Sequence, residues 1–109
     1  MNIFFETEKL KRICVDERHM TKKIGSKNAK KLKRRLADLM AAQCVSDLVA
    51  GRPHPLKQPQ LGQFALNLDG GDRLIFESAN DPIPQTQDEA VDWSRVTAVR
   101  IVEIGDYHG

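Results

Sequence analysis

Phe64-Ala65-Leu66-Asn67-Leu68-Asp69-Gly70-Gly71-Asp72-Arg73-Leu74-Ile75-Phe76-Glu77 is the stretch whose reading decides the fold. Phe64 to Leu68 alternates apolar with small or polar residues, and Leu74 to Glu77 does so in part. Between them Asp69-Gly70-Gly71-Asp72 supplies the residues that tight turns require, so the stretch predicts a β-hairpin. Further along, Val96, Ala98, Arg100, Val102 and Ile104 interleave with Thr97, Val99, Ile101 and Glu103. Apolar residues on both rows predict a central strand buried on both faces.

Towards the N-terminus the pattern changes period. Asn2-Ile3-Phe4-Phe5 is a short run rich in β-formers and predicts a first strand. Thr7 is placed to N-cap a helix carrying Leu10, Ile13 and Cys14 on one face, weakening near Val15-Asp16. A second helix is predicted from Ser26, its N-cap after Gly25, with Ala29, Leu32, Leu36, Leu39, Met40 and Gln43 tracing one stripe. Between those positions stand Lys27, Lys30, Lys31, Lys33, Arg34 and Arg35, which give the helix a cationic outer face. In Gly51-Arg52-Pro53-His54-Pro55 each proline restricts the residue before it to extended geometry, so a rigid loop is expected to present His54. Residues 80 to 95 contain two prolines and read as a long loop with at most one helical turn.

At 109 residues the chain is long enough for one domain, spanning 1–109. With 40% apolar and 29% charged residues it has the balance of a packed soluble protein. The net charge of +2 conceals an asymmetry. Residues 1–60 hold 14 Lys/Arg against 6 Asp/Glu, while residues 61–109 hold 3 against 9. The basic half suits a polyanion and the acidic half does not. No apolar run is long enough for a membrane span, and no apolar stretch of signal-peptide type follows the start, so a cytoplasmic location and no membrane partner are expected. Cys14 and Cys44 lie far apart among apolar neighbours and are expected to be buried free thiols. His19 is read as exposed and inert, Met20 and Met40 as core, and Trp93 as packed on the sheet. Asp69 and Asp72 are read as turn residues rather than metal ligands, and no metal or cofactor is assigned.

Cleaving RNA without a metal needs a base for the 2′-hydroxyl, an acid for the leaving 5′-oxygen and a cation for the developing charge. Histidine suits the proton transfers because its ordinary pKa lies near neutrality. Of the three histidines, His54 sits between two prolines and His108 directly follows the last strand.

The order of the parts adds to this. The basic stretch from Lys27 to Leu36 is followed by His54-Pro55-Leu56-Lys57. Then come Gly71-Asp72-Arg73-Leu74-Ile75-Phe76-Glu77 and Glu103-Ile104-Gly105-Asp106-Tyr107-His108. In this order they resemble the HigB-like killer toxins of the RelE/ParE superfamily over nearly the whole chain. The resemblance implies an α+β, RelE-like fold, with an N-terminal strand and two helices packed on an antiparallel β-sheet. It also implies an endoribonuclease that cuts mRNA on the translating ribosome and is neutralised by a cognate HigA-like, helix-turn-helix antitoxin. Carried over by position, His54 and His108 transfer protons, Asp106 orients or assists one of them, and Tyr107 stacks on or hydrogen-bonds the RNA. Lys57 and Arg73 hold the scissile phosphate, and Lys27, Lys30, Lys31, Arg34 and Arg35 contact ribosomal RNA. Two features depart from the family pattern: the aromatic residue after the His-Pro-Leu-Lys segment is no nearer than Phe64, and the connection from Asn80 to Ser94 is long. The rival readings are a gyrase-targeting toxin on the same scaffold and a non-enzymatic RNA- or DNA-binding module.

Overall fold

The computed structural model of the chain describes residues 1–105 and the backbone course of Tyr107 and His108. The expectations placed on Asp106 and on the side chains of Tyr107 and His108 lie outside the described residues. Strand β1 (Asn2–Phe5) leads into helices α1 (Glu8–Val15) and α2 (Glu17–Ala41). Five further strands follow: β2 (His54–Pro55), β3 (Gln63–Asn67), β4 (Arg73–Ser78), β5 (Ala98–Ile104) and β6 (Tyr107–His108). They form one sheet in the order β1-β5-β4-β3-β2, with β6 also paired to β5. The α+β architecture expected from the sequence is therefore present. The sheet is mixed rather than purely antiparallel, because β1 runs parallel to β5 while every other pairing is antiparallel. A parallel neighbour requires a crossover connection, and the two helices lie within the one that separates these strands.

Thr7 caps α1 as its sequence position suggests, its hydroxyl accepting from the Leu10 amide at 3.2 Å. The next helix starts earlier than expected. It begins at Glu17, where the Asp16 carboxylate accepts from the His19 amide at 3.1 Å, and it runs on through residue 41. Gly25, with φ 82° and ψ 164°, interrupts it just before the expected start at Ser26. Only glycine adopts that backbone readily, so the residue read as a boundary is a kink between two helical stretches. The available signal for the first stretch was Asp16 as a cap followed by Met20 and Ile24 four apart. His19 is half-buried rather than exposed; desolvation and the nearby cations Arg12 and Lys23 lower its pKa. Met40 leaves the expected stripe, being 63% exposed, and Gln43 lies beyond the helix end.

One face of the sheet meets the helices. Leu10, Ile13, Met20, Leu32, Leu36 and Leu39 pack there against Phe64, Leu66, Leu74, Phe76, Val99, Ile101 and Ile104. Each such fully buried side chain contributes about 1.5–3 kcal/mol relative to leaving it in water. Leu56, Ala65, Ile75 and Val102 form a separate buried cluster. Alternation along the strands assigns it to the opposite face. On β5 the alternation is broken: the register passes from Ile75↔Glu103 to Phe76↔Ile101, leaving Val102 without a partner on β4. This bulge lets Ile101 and Ile104, three apart, both join the helix-side core.

The 80–95 segment is held by its own contacts. Asn80 Oδ1 accepts from the amides of Thr97 and Ala98 at 3.0 and 3.1 Å, which ties its start to β5. Near its end Asp92 caps a short 3-10 turn, Trp93–Arg95, and its carboxyl is held below the ordinary range by Ser94 and then Arg95. Trp93 packs on the sheet as expected, 4.9 Å between ring centroids from Phe64 and 6.5 Å from Phe76. Both cysteines are free and partly buried, and burial pushes the Cys14 thiol up to about 12.

Candidate functional site

His54 is not on a loop. With Pro55 it forms β2, paired to Ala65 and Phe64 of β3. Extended geometry imposed by the flanking prolines is strand geometry, and Pro55, lacking an N–H, is tolerated because β2 is an edge. The imidazole Nδ1 lies 2.7 Å from the Arg52 carbonyl. A carbonyl can only accept, so Nδ1 carries the proton and Nε2 of the neutral ring is left as the basic nitrogen.

The bend before β2 is built to hold that geometry. Gly51 and Arg52 both have left-handed backbone, with φ 85° and 49°. The Gly51 carbonyl accepts from the Asn67 amide at 2.7 Å. Arg35 Nε donates to the Asn67 carbonyl at 3.3 Å, and Arg35 Nη1 pairs with Asp38 at 3.2 Å. Arg35 is thus only 13% exposed in its side chain and fixes the sheet edge, rather than standing on the outer face of the helix where the sequence reading put it. A Cβ added at Gly51 would come within 2.7 Å of Arg35 Nε and 3.3 Å of the Asn67 carbonyl oxygen. Gly51→Ala is expected to lower stability by about 2 kcal/mol, from backbone strain and the displaced Arg35. Urea denaturation checks this, and an unchanged midpoint would show that the bend tolerates a side chain.

The pairings of β2 to β6 define one row across the sheet. His54 stands opposite Ala65, Ala65 opposite Ile75, Ile75 opposite Glu103, and Glu103 opposite His108. The two histidines occupy the ends of this row, four strand spacings apart, roughly 19 Å along the sheet. Ala65 and Ile75 of the row cluster with Leu56 and Val102 into a buried apolar floor. Arg73, half-buried, opens β4 two residues before Ile75 and pairs with Asn67. Alternation therefore puts Arg73 on the same face as Ile75. On the other side of the row Glu77 and Arg100 form an ion pair at 3.1 Å, and Phe4, opposite Arg100 in the register, is 50% exposed. Lys57 follows the floor residue Leu56 and is exposed.

On α2, Lys27, Lys30 and Arg34 are exposed, and among the described residues none of the three is in an ion pair. Lys33 is bound to Glu17 at 2.6 Å, and Lys31 lies 4.0 Å from Asp69. The outward cationic face is therefore narrower than the sequence suggested. Asp69 and Asp72 are indeed used for the turn, and Asn28 of α2, which the sequence reading passed over, holds both. No helix of the described residues is long and apolar enough to cross a membrane.

This α+β fold is matched over nearly its whole length by solved structures. A YoeB-YefM complex from Staphylococcus aureus matches with TM-score 0.59 and 16% identity over 100% of this chain and 98% of that one. A YoeB/ParE toxin from Agrobacterium tumefaciens gives 0.58 and 9% over 99% and 100%. A YoeB dimer from Staphylococcus aureus gives 0.56 and 18% over 100% and 98%. At these identities the likeness is one of fold. No family model and no curated protein matches the sequence.

Proposed function

We propose that this chain is the toxin of a toxin-antitoxin pair, of HigB-like type, and acts as a ribosome-dependent mRNA endoribonuclease. The row from His54 to His108 over an apolar floor, with Arg73 on the same face, is the observation that carries the reading. RNA laid across the row presents a phosphate to Arg73, whose guanidinium can take two of its oxygens at once. One imidazole accepts the 2′-hydroxyl proton as the 2′-oxygen attacks phosphorus; the other gives a proton to the departing 5′-oxygen. Such a reaction draws only on the chain's own acids, bases and cations and needs no cofactor. Asp106 and Tyr107 orient the proton-transfer groups and the RNA, and Lys57 adds positive charge beside the phosphate. Lys27, Lys30 and Arg34 meet ribosomal RNA phosphates without reading sequence.

The solved YoeB-YefM complex supports a protein partner for this scaffold. For this chain the partner is a HigA-like antitoxin that covers the toxin in the cytoplasm. The named neighbours are YoeB and YoeB/ParE proteins, so the HigB assignment rests on the order of sequence motifs. Expression under tight control, with mRNA 5′ ends mapped during translation, tests the reading. New ends inside coding regions are expected to accompany growth arrest. Arrest without new ends would overturn it, and double-strand DNA breaks would move the assignment to a gyrase-targeting toxin.

A further inference from the structure

Asn28 lies on α2 just past the Gly25 kink, partly buried against the hairpin turn of β3 and β4. Its amide makes two hydrogen bonds to that turn. The Asp69 amide donates to Asn28 Oδ1 at 2.8 Å, and Asn28 Nδ2 donates to Asp72 Oδ2 at 2.6 Å. The chemistry admits only this orientation, because an N–H must meet the oxygen and a carboxylate must meet the NH₂. Aspartate at 28 would set two carboxylates together, and alanine would leave the Asp69 amide without its partner.

What the clamp holds is next to the proposed site on both sides. Asp72 is followed directly by Arg73, whose carbonyl accepts from the Gly105 amide at 2.7 Å. Gly105, with φ +59°, is where β5 turns towards β6, and a Cβ there would lie 3.5 Å from the Asp72 carboxyl carbon. A cavity of about 280 Å³ lined by Lys23, Ile24, Asn28, Leu68, Asp72, Ile104 and Gly105 adjoins it. Ala29 and Leu32 pack α2 onto the sheet beside this point, and the two hydrogen bonds of Asn28 add a directional polar link from the helix to the turn at the edge of that core.

We propose that Asn28 is a positioning residue for the nuclease reaction: through Asp69 and Asp72 it locks Arg73 and the Gly105 turn to the basic helix. This rests on the nuclease reading above. The helix that engages ribosomal RNA is thereby tied to the cation that holds the scissile phosphate. A shift of about 1 Å in such a group costs up to about a hundredfold in rate.

Two measurements test it. In single-turnover cleavage on mRNA-programmed ribosomes, Asn28→Ala is expected to lower the maximal rate about tenfold or more and to leave the half-saturating concentration within about twofold. Amide exchange is expected to accelerate at Asp69 and Gly105 while α1 and β1 keep wild-type protection. The double variant Asn28→Asp/Asp72→Asn exchanges donor and acceptor in the bond between positions 28 and 72 and keeps an oxygen to accept from the Asp69 amide, and is expected to recover rate and protection. Asn28→Ala with the wild-type maximal rate overturns the positioning role. If Asn28→Ala does not fold, the double variant decides: folded but slow, it overturns the proposal. A wild type that cleaves nothing removes the nuclease reading itself, and the exchange measurement separates that result from a failure of the clamp.

Discussion

Arg73→Ala is expected to cleave mRNA on programmed ribosomes about 10²–10³-fold more slowly than the wild type, with little change in ribosome binding. The expectation follows from placement. Arg73 opens β4, pairs with Asn67 and shares a face with Ile75 at the centre of the row that ends in His54 and His108. On the proposed reading, charge developing on a phosphate during attack would meet a cation already in position there, at no cost in reorganisation. Arg73→Lys keeps the charge and loses the two-pronged contact, so it should recover only part of the rate. A full-rate Arg73→Ala protein would remove this residue from the site. His54→Ala removes one of the two proposed proton-transfer groups and should slow cleavage about a hundredfold.

Reversing Lys27, Lys30 and Arg34 together to glutamate is expected to act on binding instead. These side chains project from α2 away from the core, and nothing within the described protein neutralises them. The half-saturating ribosome concentration should rise by roughly tenfold or more at moderate salt. The log–log dependence of binding on salt should flatten by about 2 to 3 units, one for each lost phosphate contact. The maximal rate should hold, since none of the three touches the row. Arg35 does not belong to this set, because its guanidinium holds Asn67 and Asp38 and its loss would damage the sheet edge. A triple variant with unchanged salt dependence would place the ribosomal contact elsewhere on the molecule.

A protein built this way divides its charge by task. Part of the acidic second half is engaged within the fold. The Asp72 carboxylate is drawn into the Asn28 clamp, that of Asp69 lies by Lys31, Asp92 binds Ser94 and Arg95, and Glu77 neutralises Arg100. What remains outward near α2 is positive, as a polyanion partner requires.

The sequence by itself determined the elements whose signals are local. The hairpin around Asp69-Gly70-Gly71-Asp72, the Thr7 cap, the first strand and the apolar seam from Ala29 to Leu39 were each legible, because turn chemistry and periodicity act between residues a few positions apart. The motifs on these elements brought His54, Arg73 and the C-terminal Asp106-Tyr107-His108 into view as candidates. Only the tertiary structure decided what depends on distant residues. It set β1 parallel to β5, made the Pro-His-Pro segment an edge strand, bulged β5 at Val102, and took Arg35 from the outer surface to bind Asn67. It also gave Asn28 a role that nothing in its neighbours announces, since its partners lie 41 and 44 residues away. Pairing register and polar clamps are settled by which surfaces meet once the core has formed, and one chain read in order carries no local mark of that meeting.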